Sequence, residues 1–225
     1  MASSGGLLSE DEVQRLLTAD DQMRKERWEA FLVEKAAQGD EELRATVYSY
    51  DPPHERGRWL RIEGKVRATM AQMKDILDDR LLERQKEWHH LFIEGQILQR
   101  EGPVELCWMA YDSDSFLVTD RDFVYFKIAA STETTLQLTY RTLSPQQEAD
   151  LLPRFPLPST DHAYVRGYFE AAHFVEDCGD GTLTYVYLQR ADPKGMIPLA
   201  LTYTPQAKIL LREIKGLRHA TSSSS

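Results

Sequence analysis

The sequence predicts an α+β domain in which a curved antiparallel sheet wraps a long helix. Three observations predict it. From Ala45 onward, short segments alternate apolar and polar residues, most regularly Leu60, Ile62, Gly64 and Val66 against Arg61, Glu63, Lys65 and Arg67. The connections between these segments are tight and carry turn residues, as in Glu101-Gly102-Pro103 and Asp177 to Gly181, which makes successive strands antiparallel neighbours. Helical periodicity is confined to the two ends and to one stretch near residue 75.

Taken in order, Ser9 and Glu12 have capping-box spacing, and Val13, Leu16 and Leu17 then fall on one helical face. The pattern breaks at Asp20-Asp21 and resumes as Trp28, Phe31, Leu32 and Lys35 up to Gly39, which predicts one long or two short helices packed outside the core. Strands are expected at 45–50 and 59–68, split by DPPHERGR. A helix over 70–79 buries Met70, Met73, Ile76 and Leu77, with a short continuation or a second helix over 81–88. Six strands follow, at 91–99, 104–111, 123–130, 136–142, 163–175 and 183–190. The loop 144–161 holds Pro145, Pro153, Pro156 and Pro158 and cannot be a central strand. A last helix is expected over 197–217, with Pro198 in its first turn. The expected organisation is a flexible 1–8, one domain over 9–219 and a disordered 220–225.

Composition excludes several functions. The chain has 225 residues, 42% of them apolar and 28% charged, enough for one domain with a sizeable core. A net charge of −9 argues against a general nucleic-acid binder, which needs Lys and Arg in excess on one face. No apolar run reaches membrane-spanning length, and MASSGGLLSEDE has neither a basic nor an apolar region of a secretory signal, so a cytoplasmic protein is expected. Cys107 in a strand and Cys178 in DCGDG read as two free thiols of a reducing compartment. There is no Cys-x-x-Cys or His-x-x-x-His, and His89-His90 would point apart, so a metal site is not expected.

The stretch Trp108 to Phe126 holds two apolar strands joined through Asp120-Arg121-Asp122, with Phe116-Leu117-Val118 placed unusually in the connection. Trp108, Tyr125, Tyr140, Tyr164, Tyr168, Tyr185 and Tyr187 recur at alternate strand positions. They either fill the core or line one cavity, for which a ring with a hydroxyl handle suits the wall.

The Asp120-Arg121-Asp122-Phe123 turn resembles the middle of the StAR-related lipid transfer (START) domains, and three further matches fall in family order. Glu87-Trp88 is similar to the tryptophan ending the family's helical segment. Tyr164-Val165-Arg166-Gly167 resembles a family strand, and Asp192 to Pro198, reading DPKGMIP, resembles the entry to the C-terminal helix. Together they span about 45–217. The resemblance implies a helix-grip fold whose hydrophobic tunnel holds one lipid, a phospholipid, sterol or fatty acid, exchanged at a transient membrane contact without a cofactor. Combined with strand alternation, it places Trp108, Tyr125 and Tyr140 inward, with Leu106, Leu138 and Val165 nearby.

Members that hold phosphatidylcholine have an Arg three residues before the helical Trp and an acid just after it. Here those positions are Gln85 and His89, with Arg84 one residue out of phase. Trp108 matches an aromatic-cage position and Phe123 stands where a Tyr would be, so phosphatidylcholine is not favoured over other lipids. Arg166 and Glu170 share a face with Tyr164 and Tyr168, as either a head-group contact or an ordinary cross-strand pair. The resemblance also places Phe116, Leu117 and Val118 beside the last helix as a gate, and Pro205 is expected to kink that helix. Two alternatives remain open: a hydrolase or cyclase pairing His173 with Glu170 or Asp122, although no Ser/His/Asp or G-x-S-x-G arrangement is present, and a ligand-gated interaction module.

Overall fold

A computed structural model describes residues 6–34, 43–53, 57–114, 118–194 and 198–222. Ser9 caps α1 (Glu10–Arg24) by the expected reciprocal box, its hydroxyl accepting from the Glu12 N–H while the Glu12 carboxylate takes the Ser9 N–H at 2.9 Å. The expected second helical turn is instead an edge strand, β1 (Glu29–Val33), antiparallel to β2 (Thr46–Tyr50). Apolar residues three and four apart also fit a short, bulged strand, and the register of β1 shifts between Ala30 and Leu32. Gly39 lies outside the described residues.

β3 (Trp59–Val66) leads to α2 (Met70–Lys74), capped by Thr69 and Gln72, which widens into one π-helical turn, Asp75–Asp79. Then come α3 (Leu81–Trp88), β4 (Phe92–Glu101), β5 (Val104–Tyr111), β6 (Arg121–Ser131) and β7 (Thr135–Thr142). The proline-rich connection contains a short helix, α4 (Pro145–Leu151), with Ser144 and Gln147 as a capping box around Pro145. The strand expected over 163–175 is broken at Gly167 into β8 (Val165–Arg166) and β9 (Tyr168–Asp177). β10 (Leu183–Asp192) precedes a 3₁₀ turn, Leu199–Leu201, and α5 (Tyr203–Ser222).

The strands form one sheet in the order β1-β2-β3-β10-β9-β7-β6-β5-β4, antiparallel throughout, with β8 adding a two-residue parallel pairing to β6. Its inner face packs Leu60, Ile62, Met109, Leu138, Val175 and Tyr185 against Met73, Ile76, Leu77 and Trp88 and against Leu210, Ile214 and Leu217 of α5. The outer face is covered as well. Leu106, Trp108, Val124, Phe126 and Ile128 lie under Val13, Leu16 and Leu17 of α1 and Leu151 of α4, and Leu7 packs there too. Leu7 is therefore part of the core and not of a flexible end, and Ala220 and Thr221 are buried in the last turn of α5 where a disordered tail was expected.

Two buried ion clusters fasten helices to the sheet. Asp20, 1% exposed, accepts from Thr139 Oγ1 at 2.7 Å and from the Arg141 guanidinium, which pins α1 to β7. Lys127, also 1% exposed, sits between Asp78 at 2.5 Å and Glu105 at 3.2 Å. Each is tolerable because the buried charge is paired and hydrogen-bonded.

α5 lies close to α3 because position 216 is glycine. A Cβ there would stand 2.2 Å from the Trp88 carbonyl oxygen and 2.7 Å from its Cα. The same contact brings Trp88, His89 and Glu213 to one place.

Pro205 is the third residue of α5, within the first turn, where backbone N–H groups lack intrahelical partners anyway. It removes no hydrogen bond, and the expected kink has no cause. Among the described residues no helix is long and apolar enough to cross a membrane.

Candidate functional site

A cavity of about 540 Å³ lies between the inner face of the sheet and the helices α3 and α5. Phe123 and Tyr125 of β6, Tyr140 of β7, Phe169 and His173 of β9 and Tyr187 of β10 form its sheet wall. Their rings meet edge to face, Tyr125 on Phe169 at 5.0 Å and on Tyr140 at 5.7 Å, Phe123 on Phe169 at 5.1 Å. Leu81, Gln85, Trp88 and His89 close it from α3, and Pro205, Ile209, Arg212 and Glu213 from α5. At one end the lining residues Asp114, Arg212 and Leu201 are exposed, which marks the mouth.

Polar groups interrupt the aromatic wall. His173 stacks on Tyr187 at 4.2 Å and bonds through Nδ1 to Tyr185 Oη at 2.9 Å. Full burial pushes its imidazole down to about 3, so the ring is neutral at physiological pH. Gln85 donates Nε2 to Tyr111 Oη at 3.0 Å, and burial holds the Tyr111 phenol well above its ordinary value. His89 Nε2 meets Glu213 Oε1 at 3.0 Å. Arg121, 7% exposed, donates to the carbonyls of Thr119, Pro193 and Lys194, and its burial lowers its pKa.

Of the residues expected on the wall, Phe123, Tyr125 and Tyr140 line the cavity, and Leu138 belongs to the inner core without reaching it. Trp108 and Leu106 do not face inward. They stand on the outer face, where Trp108 Nε1 donates to Asp122 Oδ2 at 2.9 Å and the ring packs on Tyr164. On β5 it is Cys107, Met109 and Tyr111 that point inward, because alternation fixes which residues share a face and β5 is apolar on both. Val165 on β8 is half-buried and is not part of the wall.

Arg166 is likewise outside. It forks onto Asp122 at 2.9 and 3.0 Å and reaches Glu148 at 2.7 Å, joining β8 and α4 to the sheet, while Glu170 pairs with Arg190. Asp122 and Glu170 therefore lie across the sheet from His173, and the acid/base pair expected of a hydrolase or cyclase is not assembled.

Phe116 and Leu117 lie outside the described residues; Val118 lines the mouth. Gln85 and His89 both reach the cavity, whereas Arg84 turns away to Glu87 and Asp75. Sequence reasoning missed Tyr111, Phe169, Arg212 and Glu213. Glu213 had a signal, a carboxylate set between Leu210, Ile214 and Leu217 of the apolar stripe.

A largely apolar cavity gripped between a curved antiparallel sheet and the C-terminal helix defines a helix-grip domain. Among the described residues no group of His, Cys, Asp or Glu is placed to hold a metal ion. The START domain family matches residues 8–208, and the chain belongs to that family. Its fold is similar to that of human StAR-related lipid transfer protein 5, at 17% identity and a TM-score of 0.72 over 95% of this chain and 96% of that one. It is also similar to human STARD10, at 13% identity and 0.73 over 99% and 83%. A fragment of the STAR-related lipid transfer protein from Xanthomonas axonopodis matches at 17% identity and 0.64 over 86% and 97%. No curated protein matches the chain in sequence.

Proposed function

We propose that this protein binds one lipid in the 540 Å³ cavity and transfers it between membranes, as a cytoplasmic carrier in transient contact with the bilayer surface. The observation that carries this reading is the aromatic cavity itself, which lies where the START resemblance implies a ligand. Burying a lipid body there yields about 0.8 kcal/mol per methylene, enough to compete with a bilayer.

Exchange needs a gate, which we assign to the connection between β5 and β6 together with the N-terminal half of α5. One lining residue and two contacts support it. Val118 lines the mouth, and Arg212 of α5 reaches Asp114 of the connection at 3.1 Å and His90 Nε2 at 3.2 Å. These pairs are exposed, so each adds little and can open readily. Phe116 and Leu117 are apolar residues of that connection and would enter lipid at the bilayer surface.

The carrier reading is tested by native mass spectrometry of the purified protein and by lipid transfer between vesicles. A bound lipid and measurable transfer are expected; turnover of an ester panel with no lipid bound would refute it. The gate is tested by a Phe116→Asp, Leu117→Asp double variant. Folding by circular dichroism should be kept and transfer lost, and unchanged transfer in the folded variant would place the gate elsewhere.

A further inference from the structure

One part of the cavity wall is more polar than the packing of an apolar lipid body requires. Gln85, 3% exposed, spends its Nε2 on Tyr111, and its carbonyl oxygen is buried without a partner among the described residues. One helical turn later His89 spends Nε2 on Glu213, and its Nδ1 is buried without a partner in the same sense. Glu213, 5% exposed, has His89 as its polar partner, and among the described residues no Lys or Arg is paired with it. Glu213 lines the cavity from α5, and Tyr111 and Tyr187 of the sheet line the same cavity.

Two of the lining's cations are committed elsewhere, and the third, Lys208, is exposed. Arg121 is held by backbone carbonyls and Arg212 by Asp114 at the mouth. A buried acceptor left unpaired is costly, and sites of this kind are completed by a group from water or ligand.

We propose that Gln85, His89 and Glu213 form a subsite that accepts a hydrogen bond from a lipid hydroxyl and rejects a lipid carboxylate. The cargo is then a neutral lipid alcohol. The chemistry follows from the donor and acceptor count. The Gln85 carbonyl and the Glu213 carboxylate only accept, so they need an O–H, which an alcohol has and an ester or an ionised acid lacks. An anionic head would set a second negative charge beside Glu213 in a low-dielectric wall, where like charges cannot both be accommodated. Discrimination by an unmet hydrogen bond is steeper than discrimination by apolar fit. The proposal rests on the carrier reading and narrows the ligands open to it, setting fatty acids aside.

The test uses three ligands with one hydrocarbon chain, oleyl alcohol, oleate and methyl oleate, titrated into the full chain and followed by quenching of tryptophan, since Trp88 lines the cavity. At about pH 8 the acid is ionised. The wild type is expected to bind the alcohol at least about tenfold more tightly than either other ligand. Glu213→Gln keeps size and removes charge, and should narrow the preference for alcohol over oleate by about tenfold. Gln85→Leu should weaken the alcohol and leave methyl oleate unchanged.

Equal affinities for the three ligands, or a preference unmoved by Glu213→Gln, would overturn the subsite while leaving the carrier in place. No binding of any of the three, with no transfer of other lipids, would overturn the carrier reading along with it.

Discussion

Replacing Gly216 by alanine tests whether the close contact of α5 with α3 builds the site. The new Cβ would stand 2.2 Å from the Trp88 carbonyl oxygen, 2.7 Å from Cα and 2.8 Å from the carbonyl carbon. All three are backbone atoms, so no side-chain rotation relieves the overlap, and the helices must part by roughly 1 Å to restore ordinary contact. Overpacking of this kind costs about 1–3 kcal/mol, and an overlap with backbone belongs at the upper end. Alanine is about 1 kcal/mol better than glycine inside a helix, which offsets part of it. The net loss is about 2 kcal/mol, and for a chain of this length Tm should fall by about 4–8 °C.

Gly64→Ala provides the comparison. Its Cβ would meet Ile214 Cδ1 at 2.7 Å, the movable end of a side chain, so its loss should be smaller. Calorimetry of both variants gives the order, and lipid titration should show weaker binding in Gly216→Ala, because Arg212 and Glu213 shift with the helix. An unchanged or raised Tm in Gly216→Ala would refute the claim that this glycine is required by a backbone contact.

Other outcomes follow from the same geometry. Trp108→Phe removes the bond to Asp122 and should cost about 1–3 kcal/mol in chemical unfolding while leaving lipid affinity intact; a selective loss of affinity would return Trp108 to the cavity. His173 has a folded pKa of about 3 against an ordinary 6.5, so below 6.5 the unfolded chain binds the extra proton. Stability should therefore be full above about pH 6.5 and fall by up to about 1.4 kcal/mol per pH unit toward 3, a slope that His173→Gln should remove in urea titrations.

The sequence by itself determined the fold class, the order of most elements, the Ser9 capping box and the family, because these depend on local chemistry and on periodicity read along the chain.

Tertiary structure decided which face of each strand is inside. Along β3 a polar alternate set marks the outside, but β5 and β6 are covered on both faces, by α5 and α3 within and by α1 and α4 without, so Leu106, Cys107, Trp108 and Met109 are all buried and alternation loses its sign. Trp108 lies outside the cavity for that reason, while Arg166, on β8, is an ion-pair partner of Asp122 and not a head-group contact. The pairing of Glu213 with His89 joins residues more than a hundred positions apart through a contact that only a glycine at 216 permits, and such proximity leaves no mark in local sequence. Likewise the segment after α1 has too few residues to separate a helix from a bulged edge strand, and pairing with β2 decides it, since a strand's hydrogen bonds come from a partner and not from its own chain segment.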